Sequence, residues 1–238
     1  MSQDIIDVED LTVKFYTYAG VVEALDGVNL RIREGEILGL VGETGSGKSV
    51  TSLSIMRLVP TPGRIEGGEV YFQRQGKKQN IMKQDEDSLR ALRGKDIAMI
   101  FQEPRAYLNP VYTIEDQIAE VMLVHRKVEF LKKAVEALEK RALEKKGKEK
   151  KGRPPSSYEM GVYNRMIRNP HSLSTRFFAK FSRKKTLRGE VRKEVVRVLR
   201  SVEIADPERV ATMHPHELSG GMAQRAVIAM ALSCNPTL

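Results

Sequence analysis

The chain has 238 residues, a mass of 26.8 kDa and a net charge of +9 at pH 7, which allows one large domain or a core with a subdomain. A mean hydropathy of −0.37 and the lack of any unbroken apolar run of about 18 residues argue against a membrane-spanning helix. The acidic opening MSQDIIDVED has no secretory pattern, and the single cysteine, Cys234, excludes an internal disulfide and suits a reducing compartment, so a cytoplasmic setting is expected.

The first predicted elements are strands. Ile6 and Val8, then Leu11, Val13 and Phe15, alternate in a strand-like way, a turn at Ala19 and Gly20 follows, and Val28, Leu30 and Ile32 form a second strand. Beyond a turn at Glu34 and Gly35, Glu36 to Val41 predicts a buried strand that leads into GETGSGKS at 42–49. Val50 to Leu58 predicts a helix stopped by Pro60 and Pro62. GGEVYF at 67–72 returns to strand, and DIAMIFQ at 96–102 predicts a second buried strand. Strand, loop, helix, strand is the signature of an α/β core with a small β layer attached.

From Thr113 the pattern becomes helical, with Thr113 as the cap and Asp116 three positions on. Val128, Leu131, Val135, Leu138 and Ala142 keep heptad spacing, as do Val191, Val195, Val198 and Val202, and the two runs can pair as a helical hairpin. Between them, GKEKKGRPPSSYEMG at 147–161 predicts a mobile loop. FFAKF at 177–181, beside RKK at 183–185, suits a partner or membrane-surface contact, or alternatively the core. Residues 126–193 hold 22 Lys and Arg against 7 Asp and Glu, whereas the remainder holds 18 against 24. The basic surplus therefore sits in one segment. Such a segment suits nucleic acid, an anionic membrane surface, or solvated helices with Lys-rich outer faces.

The loop at 42–49 carries the most specific chemistry. Gly42, Gly47, Lys48 and Ser49 satisfy GxxxxGK[ST], a match that chance gives in roughly one chain of this length in a hundred at ordinary glycine frequency. Leaving a strand and opening a helix, the backbone N–H groups of Gly45, Ser46, Gly47, Lys48 and Ser49 can surround phosphate oxygens, aided by the helix dipole. Glycine is needed because a Cβ would block that approach. Lys48 supplies a point charge to the β and γ phosphates, and the Ser49 hydroxyl is a magnesium ligand. Glu43, Thr44 and Val50 complete the stretch expected to bind a nucleoside triphosphate.

Residues 218–222 read LSGGM, and the apolar positions of AQRAVIAMALSC continue a helix from them. A serine and two glycines at a helix start form another anion cradle. Because the first loop already holds its own phosphates, a second cradle about 170 residues later calls for another nucleotide. LSGGM resembles the signature motif of ATP-binding cassette (ABC) proteins, in which two subunits sandwich two ATPs head to tail. The resemblance implies that Ser219, Gly220 and Gly221 act in trans, on the nucleotide of a second subunit. It implies that Gln102, in IFQEP, contacts magnesium or the attacking water and senses a transmembrane partner. It implies that an aromatic ring among Phe15, Tyr16 and Tyr18 stacks on adenine, with Phe15 favoured by the following Ala24 and Leu25. His214 and His216, in HPHELSGG, match a Pro-His-Glu stretch of the family and are read as structural rather than as a metal site.

FQEPRAYLNPV and HPHELSGGMAQRAVIAMALSCNP look like the motors of peptide and nickel importers. The likeness covers residues 5 to about 125 and 195–238 but not the basic segment, which is longer than the family's usual. The implied fold is an α/β P-loop NTPase (RecA-like) core with an antiparallel β subdomain at 1–105, a helical subdomain at 106–218 holding the basic insert, and a signature helix at 219–238 leading back to the core. The implied partners are a second nucleotide-binding subunit, transmembrane permease subunits and, indirectly, an extracytoplasmic solute-binding protein, on the cytoplasmic face of a membrane and without nucleic acid. The alternative is a non-transport ABC ATPase that acts on nucleic acid or ribosomes through the insert. The family's Walker B aspartate, catalytic glutamate and switch histidine would follow Leu238, so the chain is expected to be a fragment that hydrolyses ATP only at background.

Overall fold

The computed structural model describes residues 3–74, 76–146, 156–169 and 185–238. They divide into two compact units, 1–97 with 237–238, and 98–236.

The first unit is built on a four-stranded antiparallel sheet of order β2-β1-β3-β4. Its strands are β1 (Asp4–Thr17), β2 (Gly20–Arg33), β3 (Gly63–Arg74) and β4 (Lys77–Asn80). In β1, Ile6 and Val8 are buried and so are Leu11 and Val13, although the step from 8 to 11 is odd. A β-bulge resolves this: the register shifts between Val8 and Leu11 against β2 and between Glu9 and Thr12 against β3. The extra residue keeps both pairs on one face. Asp10 takes φ +50 there, and it sits against Gly68 at φ +91. A Cβ on Gly68 would lie 2.6 Å from the carbonyl oxygens of Glu9 and Asp10.

Helix α1 (Lys48–Ile55) begins two residues before the predicted start and ends three before the predicted stop. Its end is a Schellman motif: Leu58 N–H donates to Leu53 O (2.8 Å), Arg57 N–H to Ser54 O (2.9 Å), and Arg57 takes the left-handed φ of +51. Helix α2 (Glu86–Leu92) is capped by Asp85, which accepts from Ser88 N–H at 2.7 Å. Arg93 joins the two helices by donating to Met56 O, Arg57 O and Glu86.

The two predicted buried strands differ from expectation. Residues 36–41 and 98–102 lie in no ladder, and the region shows a single isolated bridge, Arg93 to Ile97. Ile37 is 99% and Val41 94% exposed. A buried strand needs neighbours on both sides to satisfy its N–H and C=O groups, and none of the four described strands serves these segments. The amides of Thr237 and Leu238 do reach Asp96 O, at 2.8 and 3.1 Å.

The second unit is helical: α3 (Pro104–Tyr107), α4 (Ile114–Lys146), α5 (Ser156–Arg168), α6 (Lys185–Ser201), α7 (Pro207–Thr212) and α8 (Gly220–Leu232). Thr113 Oγ1 accepts from Asp116 N–H at 3.1 Å, so α4 starts at the predicted cap. Leu131, Val135 and Leu138 of α4 share one buried cluster with Val191, Val195 and Val198 of α6, as the heptads predict for a hairpin. Burying such side chains contributes about 1.5–3 kcal/mol each. Buried Glu115 in the first turn of α4 receives Arg192 at 3.0 Å and Arg188 at 3.6 Å, which pins the same two helices by charge.

Part of the predicted mobile loop is helix, since α5 begins at Ser156 and carries the buried Tyr163 and Met166 into the cluster. Its remainder, 147–155, lies outside the described residues, as do 177–181 and 183–184 of the predicted contact patch. Among the described residues no helix is long and apolar enough to cross a membrane.

Candidate functional site

In the first unit the phosphate-type loop folds around its lysine. Lys48 Nζ donates to the carbonyls of Gly42 (2.7 Å) and Glu43 (2.6 Å) and to Ser46 Oγ (3.1 Å). The loop oxygens thus use all three ammonium donors, and a phosphate oxygen entering the loop would compete for the same protons. Ser46 N–H closes a turn onto Glu43 O at 3.2 Å. Gly45 and Gly47 take φ of +88 and +89, and Gly47 is the left-handed N-cap of α1. A Cβ on Gly47 would stand 2.7 Å from Leu25 Cδ2 and 2.9 Å from Ala24 O, while one on Gly42 would stand 2.7 Å from Ser46 Oγ. The cradle therefore depends on the absence of a side chain at Gly47, where the close neighbour is backbone and φ is left-handed, whereas at Gly42 the neighbour is a serine hydroxyl that can rotate away.

Buried Thr51 binds Gly47 O through both its backbone N–H (2.8 Å) and its hydroxyl (3.1 Å). The first turn of α1 is thereby fixed, with Glu43, Thr44 and Ser49 exposed and Val50 half-buried. Exposed N–H groups at a helix start and a nearby ammonium fit the phosphates of ATP. The exposed Ser49 hydroxyl fits magnesium, which is commonly held by few protein oxygens together with phosphate and water.

The three aromatic candidates are differently placed. Phe15 is half-buried against Gly63, where a Cβ would come within 2.7 Å of both Phe15 Cε1 and Val59 Cγ1. Tyr16 donates its hydroxyl to Glu66 Oε1 at 2.9 Å, which raises the pKa of the phenol, and Arg64 sits 5.3 Å from its ring centroid. Tyr18 is fully exposed at the β1–β2 turn.

In the second unit Gln102 is exposed on the rim of a tight turn closed by the stacked rings of Phe101 and Tyr107, 4.2 Å apart and 15° from parallel. Ser219 is the N-cap of α8 and accepts from Met222 N–H at 3.3 Å. Gly220 and Gly221 are exposed, and a Cβ at either meets nothing within 4 Å. Their N–H groups lie in the first helical turn, which offers no partner from within the helix. His214 N–H donates to Glu217 Oε2 at 2.6 Å, depressing that carboxyl's pKa, and the rings of His214 and His216 stack at 5.6 Å.

Two arginines had no signal in the local pattern. Arg105, three residues past Gln102, donates to Leu218 O at 2.6 Å. Arg126 stands at a kink of α4 (φ −118, ψ 17), donates to Ser233 O just past α8 at 2.7 Å, and pairs with Glu129 and Glu194. Both bonds span more than 100 residues, a distance at which periodicity carries no information.

A family model described as ABC transporter matches residues 25–238. The chain is 40% identical over 98% of its length to a probable peptide ABC transporter ATP-binding protein of Sinorhizobium fredii, of which it covers 52%. It is 36% identical over 98% of its length to an oligopeptide transport ATP-binding protein of Bacillus subtilis, of which it covers 48%. The chain thus spans about half the length of the curated relatives it matches. Among solved structures it is similar to the dimeric bacterial ABC transporter cassette MJ0796, with a TM-score of 0.61 and 23% identity, covering 97% of this chain and 70% of that one. That likeness shows the fold, an ABC cassette of the P-loop NTPase class with an antiparallel β subdomain and a helical region, which is the class read from the sequence. With the loop at 42–49, the cap at Ser219 and a family match over most of the chain, this protein belongs to the ABC transporter family.

Proposed function

We propose that this chain is the ATP-binding motor of an importer for peptides or similarly small solutes. The observation that carries this reading is the loop of Gly42–Ser49, seated through Gly47 on Ala24 and Leu25 with the Lys48 ammonium inside it. The relatives named for peptide and oligopeptide transport, and a 33%-identical glutathione import protein of Salmonella typhimurium, support the solute class.

In this reading the amides of Gly45 to Ser49 hold the β and γ phosphates, Lys48 neutralises their charge, and Ser49 and Gln102 are the protein's magnesium ligands. Phe15 supplies the adenine face. Ser219, Gly220 and Gly221 of a second nucleotide-binding subunit close on the γ-phosphate, so nucleotide bridges two surfaces and favours the closed dimer. Opening and closing would move permease subunits at the cytoplasmic face of the membrane, with a solute-binding protein delivering cargo outside. Residues 1–105 act as the nucleotide-binding core, 106–218 as the helical subdomain and 219–238 as the signature helix.

Segments 36–41 and 98–102, which the sequence reading makes the buried strands of the nucleotide-binding core, have no ladder partners among the described residues. We therefore expect the 238-residue polypeptide to bind ATP and to hydrolyse it only at background, and steady turnover by it would contradict this. Among the described residues of the basic insert, Arg126, Lys133, Arg188, Arg192 and Lys193 are ion-paired, which favours the reading of solvated helices over a nucleic-acid contact. The decisive test is calorimetric titration with ATP and magnesium: Lys48→Ala should weaken binding at least about tenfold by removing a charge-assisted phosphate contact, and equal affinities would overturn the reading.

A further inference from the structure

The bond from Arg105 Nη2 to Leu218 O, 2.6 Å long and joining residues 113 positions apart, connects two segments that the proposed function uses for different tasks. On one side is the turn of 101–107. It is closed by the Phe101–Tyr107 stack and carries Gln102 on its rim. Beyond it the chain is held again, because buried Gln117 accepts from Asn109 N–H at 2.9 Å and donates to the carbonyls of Asn109 and Tyr112, both at 3.0 Å. On the other side, Leu218 is a buried residue that ends the short helical turn of 215–217 and immediately precedes Ser219, the N-cap of α8.

The structure assigns Arg105 the role of a positioning residue: a strut by which the Gln102 turn sets the orientation of the Ser219–Gly220–Gly221 cradle. Three features make the strut stiff. The guanidinium donor is planar and charged, so its bond to a carbonyl is stronger and more directional than a neutral one. The turn that carries it is clamped by a ring stack and by Gln117. The carbonyl it grips is one peptide away from the cap that aims the first N–H groups of α8. A displacement of the Gln102 turn is therefore passed to the cradle directly, through this bond and the packing of α3 against α8, rather than through the long course of α4 to α7. This inference rests on the proposed trans engagement of Ser219 to Gly221.

The test uses the full 238-residue chain with Ser46→Cys, Gly220→Cys and Cys234→Ser, with oxidative crosslinking between copies followed over time with ATP present. Within the single chain nothing lies within 4 Å of the Cβ position at Gly220, so the substitution leaves the fold of α8 intact. Added Arg105→Ala should slow ATP-dependent crosslinking about tenfold, as expected for a lost charge-assisted bond. Arg105→Lys should restore part of the rate, and the ATP affinity of the loop at 42–49 should stay within about twofold. Hydrogen exchange on the same variants should quicken at 101–107 and 218–222 together, with α6 unchanged. If the parent chain never crosslinks, the proposed function fails. If the parent crosslinks and Arg105→Ala does so equally fast, or if exchange quickens at 218–222 alone, the strut is refuted.

Discussion

Replacing Arg126 with methionine isolates what a charge at the α4 kink contributes to the helical unit. The side chain is only 13% exposed and bonds to Ser233 O (2.7 Å), Glu129 (2.8 Å) and Glu194 (3.2 Å), with its guanidinium 5.2 Å from the Phe130 centroid. Methionine keeps the stem and removes the charge. Glu129 retains Lys133 at 2.7 Å and Glu194 retains Arg197 at 2.8 Å, so neither carboxylate is stranded and the cost should fall below the ~3–5 kcal/mol of a broken buried pair. What disappears is the donor to the fully buried Ser233, worth about 1–3 kcal/mol, the cation over Phe130, worth about 0.5–1 kcal/mol, and one of the two cationic partners of Glu129 and of Glu194, a solvent-screened contribution of under about 1 kcal/mol each. The expected loss is about 2–4 kcal/mol. In urea unfolding followed by far-UV circular dichroism, with a slope of about 1–3 kcal/mol per M, the midpoint should fall by about 1 M at unchanged slope. Arg126→Lys should recover less than half, since a point charge cannot serve three acceptors in a plane. A midpoint moved by less than about 0.2 M would show that the network at the kink is ornamental.

The same network sets an acid dependence. Arg126, the largest influence, holds the Glu129 carboxyl down to about 2 from its ordinary 4.5, and Arg197 depresses Glu194 likewise. Folded values below the unfolded ones mean stability that is complete above about pH 4.5 and lost as pH falls toward 2, and a flat stability profile over that window would contradict it. Gly47→Ala forces a Cβ to within 2.9 Å of Ala24 O at φ +89; it should weaken ATP binding at least about tenfold with helical circular dichroism unchanged, and retained affinity would count against the cradle. Gly68→Ala, which brings a Cβ to 2.6 Å from two backbone carbonyls at the bulge, should cost at least about 2 kcal/mol in the sheet, seen as a lower thermal midpoint, and an unchanged midpoint would refute the bulge argument.

Local chemistry was legible in the sequence. The Thr113 cap, the paired heptads of α4 and α6 and the anion loop all follow from residues within a turn or two of one another. The β1 bulge was not legible there, since only the structure shows that Val8 and Leu11, three apart, are both buried. The strand predictions at 36–41 and 96–102 show the limit of such reading. Apolar composition states that a segment wants burial, but pairing requires neighbours, and the four described strands supply none to these segments. The start of α1 moved to Lys48 because Gly47 can take the left-handed cap, a freedom no hydrophobic pattern registers. The Arg105 and Arg126 bonds lie beyond any local pattern, since each joins segments that meet only once the helical unit has folded.

In the proposed dimer a triphosphate is held between the Gly42–Ser49 loop of one copy and the Ser219–Gly221 cap of another. Cysteines at positions 46 and 220, with buried Cys234 replaced, probe this directly through the yield of intermolecular disulfide with and without ATP. A crosslinked dimer should form with ATP and be lost when Lys48→Ala is added. A dimer that forms equally without nucleotide, or never forms at saturating ATP, would contradict that arrangement.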